Sequence, residues 1–237
     1  MTRYLVVNAD DFGYAEGVNT GIIAAYEHGV VLSTSLMVDM PRAEEAALLA
    51  KRHPGLGVGL HFTATNQDGP LFDLMDVAVV QKELLRQYQR CTELLDHPPT
   101  HLDSHHHVHL RKELKPFFIE WARGHGLHLR DSGMSHYNGG FYGQWYDEEW
   151  NPYPAPELIS IENLEKIFRA LPDGVTELAC HPAHVTPDLE SSYATERAIE
   201  LATLLNPRLL EVLSELNITV INFTALPTIE EQNHAAA

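Results

Sequence analysis

The sequence predicts an α/β fold: a single-domain, irregular (β/α) barrel of about seven parallel strands, TIM-barrel-like in plan. Three observations predict it. Short apolar runs alternate with amphipathic segments, no composition shift marks a linker, and polar residues gather where the apolar runs end. Such alternation is typical of a parallel sheet covered by helices. The barrel is expected to span residues 1–230, with 231–237 as a disordered tail; an open doubly wound sheet is the alternative.

The predicted strands are short apolar runs, each leading into polar or turn-forming residues. They are Tyr4–Asn8, Leu32–Val38, Leu56–Leu60, His101–Asp103, His128–Arg130, Val175–Cys180 and Ile218–Asn222. The first, Y-L-V-V-N, is continuously apolar up to its last residue, as expected of a strand that is buried on both faces.

The predicted helices carry apolar residues at three- and four-residue spacing, and most of them end at or shortly before glycine or proline. They are Glu16–His28, Arg42–Arg52, Asp76–Leu95, Leu114–Gly124, Ile161–Ala170, Ala194–Leu205 and Arg208–Leu216. Gly29 closes the first helix, Pro98 stops the third, and Ser160 is the expected N-cap of the fifth. A long loop rich in Gly, Tyr, Trp and Pro remains between residues 132 and 157.

Composition and charge exclude several classes of partner. The 33 acidic residues outnumber the 16 Lys and Arg, and the net charge of −17 argues against nucleic acid or an anionic membrane. No stretch is long and apolar enough to span a membrane, and Met1–Arg3 leads directly into a strand without a signal-peptide h-region. Cys91 and Cys180 form no disulfide framework or cysteine-type zinc site. A cytoplasmic location is therefore expected.

The segment 100–110, T-H-L-D-S-H-H-H-V-H-L, is unusually rich in histidine. Read as a strand, one of its faces carries His101, Asp103, His105, His107 and His109. Imidazoles are costly to pack side by side in a dry interior unless something binds them, and imidazole is the commonest metal ligand. His with Asp fits the ligand set of zinc and its neighbours, so a metal site is predicted. A solvated polar loop is the alternative.

Polar side chains also stand at or just after the ends of six predicted strands. They are Asn8, Asp10, Asp11, His61, Asp103, His105, Arg130, His181 and Asn222. Functional groups at the carboxyl ends of parallel strands are typical of a barrel active site. Two adjacent carboxylates after a buried strand favour a nearby cation, although a turn or helix cap would also explain them. On an extended backbone Asp10 and Asp11 would point to opposite sides, which predicts different roles for them.

Four motifs, in the same order along the chain, give it a family resemblance. They are V-N-A-D-D-F-G at 7–13, G-L-H-F at 59–62, T-H-L-D-S-H-H-H-V-H at 100–109 and C-H-P-A at 180–183. Together they resemble the YdjC-like carbohydrate deacetylases, over residues 3 to 187. The resemblance implies a barrel similar to polysaccharide deacetylases and one divalent cation, Mg²⁺ or Zn²⁺. It places that cation on Asp11, His61 and His105.

The resemblance also implies hydrolysis of an N-acetyl group from an amino sugar, such as an N-acetylglucosamine oligosaccharide of the chitin disaccharide type. A small carbohydrate is then the expected partner. In a mechanism consistent with the residues, Asp10 is the general base and His181 the acid for the departing amine. Arg130 would help to hold the oxyanion. Asp103 would orient a ligand histidine from outside the ligand set.

The aromatic loop at 137–156 is too long for a plain connector, and its rings suit the apolar faces of sugars. The rings belong to Tyr137, Phe141, Tyr142, Trp145, Tyr146, Trp150 and Tyr153. Tyr142 and Trp145 are therefore candidate substrate-binding residues. The alternative is that the rings pack the loop onto the barrel or form the contact of a homodimer.

Two other functions compete with deacetylation. A metal-dependent phosphohydrolase or amidohydrolase would use a similar barrel, but amidohydrolase barrels usually carry His-x-His on the first strand, where this chain has carboxylates. A non-enzymatic metal- or sugar-binding protein would have a site saturated by protein ligands. The sequence contains neither a glycine-rich phosphate loop nor a G-x-S-x-G elbow.

Overall fold

A computed structural model describes residues 2–149 and 151–226; Trp150 and the predicted tail at 231–237 lie outside the described residues. The helices and strands follow in the order β1 (Arg3–Phe12), α1 (Glu16–His28), β2 (Ser33–Leu36), α2 (Ala43–Arg52), β3 (Gly57–Phe62), β4 (Thr65–Asn66), β5 (Gly69–Pro70), α3 (Val77–Leu95), β6 (His101–Ser104), α4 (Lys115–Gly124), β7 (His128–Leu129), β8 (His136–Asn138), β9 (Gln144–Tyr146), β10 (Pro152–Pro154), α5 (Ile161–Ala170), β11 (Gly174–Cys180), α6 (Ala194–Leu204), α7 (Arg208–Glu215) and β12 (Ile218–Val220). Short 3-10 helices occupy His105–Leu110, Pro156–Ile159 and Phe223–Ala225.

One parallel sheet organises the molecule. Its strand order is β7-β6-β3-β2-β1-β11-β8, and β12 pairs with the start of β1. All seven predicted strands lie in this sheet, which confirms the predicted α/β class. The eighth strand, β8, pairs in parallel with β11 and lies inside the predicted long loop. Its sequence, H-Y-N, has too few apolar residues to predict a strand.

The sheet curls into an open half-barrel. Arg130 follows β7, and β1 lies four strands away in the strand order, which in a flat sheet is roughly 19 Å. Arg130 Nη1 nevertheless lies 2.7 Å from Asp10 Oδ2 on β1, and its Nε lies 2.6 Å from Glu177 Oε1 on β11. Within 2–149 and 151–226, no ladder joins β7 to β8, so the barrel does not close.

The helices cover the outer face of this sheet, and both faces of its central strands β2, β3 and β6 are buried. In β1 every residue from Leu5 to Phe12 is buried, as expected of a parallel strand under helices. The predicted N-cap is confirmed, because Ser160 Oγ accepts a hydrogen bond from the N–H of Asn163 at 3.2 Å. None of the helices in the described part of the chain has the length and apolar character needed to cross a membrane.

Candidate metal centre

The carboxyl ends of β1, β3 and β6 bring three predicted ligands together. His61 Nε2 lies 3.3 Å from Asp11 Oδ1, and His105 Nδ1 lies 3.2 Å from the same oxygen. The three candidate ligand atoms all lie within 4.8 Å of one another. Asp11 and His61 are buried, whereas the His105 side chain is 20% exposed and lies on the solvent side. The structure thus contains an Asp-His-His group that could hold a metal ion.

The two oxygens of Asp11 have different surroundings. Oδ2 accepts a hydrogen bond from Arg197 Nη2 at 2.5 Å, whereas Oδ1 is buried without a hydrogen-bond partner. Burial raises the pKa of Asp11, but Arg197, His105 and His61 outweigh it and hold that pKa well below its ordinary value. A buried, ionised oxygen without a hydrogen bond is costly unless a positive charge compensates it, which at Oδ1 is either a protonated imidazole 3.2–3.3 Å away or a bound metal cation. The donor set of one carboxylate and two imidazoles therefore fits a divalent cation.

His61 is oriented by a second carboxylate. Its Nδ1 lies 2.7 Å from Asp103 Oδ1, so that Nε2 is directed towards Asp11. This is the contact expected of Asp103. Burial lowers the pKa of His61, but Asp103 and the other nearby carboxylates raise it to about 10. A cation at Nε2 would replace the proton that the imidazole otherwise binds there.

The prediction that Asp10 and Asp11 point to opposite sides of a regular strand is wrong, because β1 is irregular at its end. The strand runs through both residues to Phe12, its register with β2 shifts between Ala9 and Phe12, and Asp11 has a φ of 71°. This irregularity turns both carboxylates towards His61, instead of towards opposite sides as in a regular strand.

The interpretation of the histidine-rich segment as a strand is also wrong beyond Ser104. β6 ends at Ser104, and His106 and His107 adopt φ values of 52° and 51°, in the left-handed region. The alternation of faces therefore stops before His105. His106 packs against His105 with ring centroids 3.9 Å apart and planes tilted by 31°, and its Nδ1 lies 3.0 Å from Thr65 Oγ1.

Arg130 lies at the centre of a buried cluster of carboxylates. Its Nη1 and Nη2 each donate to Asp10 at 2.7 Å, and Nη2 also lies 2.8 Å from Asp103 Oδ2. Its Nε donates to Glu177 at 2.6 Å, and the side chain is only 1% exposed. All three guanidinium nitrogens are committed to carboxylates. The structure therefore gives no support to the oxyanion contact expected of Arg130, which instead holds Asp10 in place.

Within this cluster, burial and the charge of Arg130 shift the pKa values of Asp10 and Glu177 in opposite directions. Burial raises the pKa of Asp10, but Arg130 outweighs it, so the pKa lies below its ordinary value and Asp10 is ionised at neutral pH. Burial raises the pKa of Glu177 to about 7, and Arg130 offsets only part of that rise. Asn8 Nδ2 donates a further hydrogen bond to Asp10 Oδ1 at 2.9 Å.

His181, at the end of β11, faces the same cluster. Its Nε2 lies 3.8 Å from Asp10 Oδ2, and its Nδ1 lies 3.8 Å from Glu200 Oε1 on α6. Tyr193 donates a hydrogen bond to the same Glu200 oxygen at 2.6 Å. Burial lowers the pKa of His181, but Glu200 and the site carboxylates outweigh it and raise that pKa. The protonated imidazole that a general acid needs is thus favoured.

The aromatic loop meets the centre through Tyr142. Its ring lies edge-on to His181 with centroids 5.4 Å apart and stacks on Tyr193 at 4.4 Å. Its hydroxyl lies 3.3 Å from that of Tyr146. Trp145 is 52% exposed and stacks on Tyr153 at 4.6 Å, across the antiparallel β9–β10 hairpin. Because neighbouring strand residues point to opposite faces, Trp145 lies on the hairpin face opposite to Tyr146.

Sequence reasoning missed four residues around the centre: Glu177, Tyr193, Arg197 and Glu200. An acidic residue inside the predicted buried strand Val175–Cys180 was a usable signal for Glu177. The helix α6 gave none, because E-R-A-I-E reads as an ordinary solvated helix face. In the structure Arg197 and Glu200 are instead buried against the centre.

Comparison with known proteins gives a consistent picture. The family model of YdjC-like proteins matches residues 4–215. The chain is 33% identical to a chitooligosaccharide deacetylase of Serratia marcescens, with 95% of this chain and 100% of that protein covered. It is 34% identical to a carbohydrate deacetylase of Geobacillus stearothermophilus, with 94% and 98% covered.

Solved structures share the fold. A protein of Enterococcus faecalis described as a cellobiose-phosphate cleavage protein matches with a TM-score of 0.78 and 26% identity, covering 95% of this chain and 99% of that one. A family 4 carbohydrate esterase of Streptomyces lividans, in complex with acetate, matches with a TM-score of 0.54 and 14% identity, covering 92% and 91%. At that identity the likeness concerns the fold alone. Because the family model matches most of its length, this chain belongs to the YdjC-like family.

Proposed function

We propose that this chain is a metal-dependent deacetylase that removes the N-acetyl group of an amino sugar and releases acetate. One observation carries the proposal: the unpartnered Asp11 oxygen faces His61 and His105, and the second ionised carboxylate, Asp10, lies beside them. The names of two relatives support the substrate class: the Serratia marcescens protein is a chitooligosaccharide deacetylase and the Geobacillus stearothermophilus protein a carbohydrate deacetylase.

Asp11, His61 and His105 would hold a single divalent cation. Two imidazoles and one carboxylate favour Zn²⁺ or a similar transition metal over Mg²⁺, which prefers oxygen ligands. When bound, such a cation supplies a Lewis acid that polarises a carbonyl group and acidifies water. Three protein ligands leave coordination positions open, as a catalytic site requires and a saturated binding site does not.

Asp10 is the proposed general base. A carboxylate oxygen of Asp10 would take a proton from the water whose oxygen adds to the acetyl carbonyl carbon. Arg130 and Asn8 fix the orientation of this carboxylate, and Arg130 also keeps it ionised. Arg130 is thus a positioning residue in this mechanism, as is Asp103, which orients His61.

His181 is the proposed general acid. Its imidazolium would give a proton to the amine nitrogen as the C–N bond breaks, and the raised pKa of His181 supports that protonation state. Tyr142, next to His181, would contact the sugar. Trp145 stays a second candidate for sugar binding, further along the hairpin. The cytoplasmic location and the homodimer remain predictions.

An acetate-release assay tests the function. The purified chain would be incubated with N-acetylglucosamine, its β-1,4-linked disaccharide and longer oligomers, with and without a chelator. We expect acetate from at least one of these sugars, its loss on chelation, and its recovery on adding one divalent metal. Undiminished acetate release from a demonstrably metal-free chain would refute the proposed metal dependence. Phosphate release from phosphorylated sugars, without acetate release from any substrate, would favour the phosphohydrolase alternative.

A further inference from the structure

Arg197 is the only residue of α6 whose side chain bonds directly to a proposed metal ligand among the described contacts. It is the fourth residue of this helix, is 6% exposed, and donates from Nη2 to Asp11 Oδ2 at 2.5 Å. Its Nη1 lies 3.5 Å from the carbonyl oxygen of His181, and its Nε is buried without a partner. The helix therefore places a guanidinium between the metal-facing carboxylate and the segment that carries the proposed general acid.

The contact decides which oxygen of Asp11 is available. With Oδ2 held by Arg197, only Oδ1 faces His61 and His105. A carboxylate without such a partner can rotate or offer both oxygens to a cation, which would fill a coordination position that substrate or water needs. The backbone does not provide this restraint alone, because Asp11 lies where the register of β1 shifts.

We propose that Arg197 is a positioning residue that restricts Asp11 to a single oxygen facing the cation, and so raises the affinity of the centre while keeping positions open. This inference rests on the metal site of the proposed function. Partners that orient metal ligands from outside the ligand set typically contribute about 10- to 100-fold in metal affinity.

A competing effect has the opposite sign. The guanidinium is itself a cation, and it repels a divalent ion bound on the other side of the same carboxylate. If repulsion outweighed orientation, removing Arg197 would tighten metal binding. The sign of the change in affinity therefore separates a positioning residue from a buried charge that only neutralises Asp11.

The test measures metal affinity without substrate. Zn²⁺ affinity would be determined by competition with a chromophoric chelator for the wild-type chain, Arg197→Met and Arg197→Lys. We expect Arg197→Met to bind Zn²⁺ about 10- to 100-fold more weakly. Arg197→Lys should fall between the two, since Lys keeps the charge but not the fixed fork of donors. Arg208→Met is the matched control, because Arg208 forms exposed ion pairs on α7 and should leave Zn²⁺ affinity unchanged.

Fold integrity is checked by circular dichroism in the presence of chelator, so that weaker binding is not confused with unfolding. If Arg197→Met does not fold, Arg197→Lys alone decides: weaker binding supports the proposal and unchanged binding overturns it. Unchanged or tighter binding by folded Arg197→Met also overturns it. A wild-type chain that binds Zn²⁺ yet releases no acetate refutes the deacetylase alone, whereas one that binds no divalent cation refutes both proposals.

Discussion

Two histidines on neighbouring strands, His61 on β3 and His101 on β6, are both almost completely buried, at 2% and 1% exposure. His61 contacts Asp103, and the nearby carboxylates raise its pKa to about 10. His101 stacks on Phe223 with centroids 3.9 Å apart, and burial lowers its pKa to about 3. Burial is the same at the two sites, so the carboxylate contacts make the difference. Buried imidazoles next to acids, and not the number of histidines, mark the functional end of this barrel.

The largest effect is expected among the buried carboxylates around Arg130, from Asp10→Asn. Asn is nearly isosteric but cannot accept the proton, so the turnover rate should fall by about 10²- to 10⁴-fold. Metal content, measured by mass spectrometry, should stay near the wild-type value. Asp11→Asn should lose both metal and rate. Metal-free Asp10→Asn with metal-loaded Asp11→Asn would reverse the two assignments.

Removing the positive charge of Arg130 from among these carboxylates should lower the free energy of unfolding. Arg130→Met leaves Asp10, Asp103 and Glu177 buried without their shared cation, which typically costs about 3–5 kcal/mol. The loss should be read from urea unfolding of the wild type and the variant. It should be smaller at pH 5 than at pH 8, because protonation of the unpaired carboxylates relieves the cost of burying their charge. A pH-independent loss would mean that packing, and not charge, is responsible.

The two buried imidazoles, His61 and His101, should differ in their contribution to metal affinity. His61→Ala is expected to weaken divalent-metal binding by at least about 10- to 100-fold, the scale on which even indirect partners act. His101→Asn is the matched control, because His101 is equally buried but stacks on Phe223, and it should leave metal affinity within error of the wild type. Equal losses of metal affinity in the two variants would contradict the assignment of His61, but not His101, to the metal centre.

Acid should destabilise the folded chain through the buried His101. The pKa of His101 is lowered in the folded chain, so the unfolded chain binds more protons between its ordinary pKa near 6.5 and about 3. The contribution of His101 is therefore complete above pH 6.5 and is lost as the pH falls, about 2 kcal/mol by pH 5. His101→Phe should lose less stability than the wild type between pH 7 and pH 5. If urea unfolding shows that the wild type and His101→Phe lose the same stability between pH 7 and pH 5, His101 is not a source of the acid sensitivity.

The smallest effects concern the aromatic loop. Tyr142→Ala removes the ring beside His181, and we expect its KM for oligosaccharides to rise by about 2- to 10-fold, the scale of one aromatic contact. Trp145→Ala, on the opposite face of the hairpin from Tyr146, should change KM less. A larger change for Trp145→Ala would show that the sugar crosses the outer face of the hairpin.

The sequence predicted the regular elements closely, but not the irregular ones that shape the centre. The helix bounds at Glu16–His28 and Ile161–Ala170 match the structure residue for residue, because apolar periodicity and capping residues are local signals. The positive φ of Asp11 and the turn after Ser104 depend on contacts between strands, which no local pattern carries. The role of Arg197 could not be predicted for the same reason, because the packing of α6 against α1 and the 3-10 helix at Pro156–Ile159 turns this arginine towards Asp11.

Arg130 gives the open barrel an unusual kind of closure. It follows the edge strand β7, and its guanidinium joins that edge to β1 and β11, across the side where the described residues show no ladder between β7 and β8. These buried ion pairs thus link the two sides of the open barrel, as backbone hydrogen bonds between strands do in a closed barrel. Local opening of the β7 edge would break the hydrogen bond from the Arg130 N–H to the Leu102 carbonyl and release Asp10 at the same moment, so loss of activity and loss of amide-exchange protection at Arg130 should occur as one event.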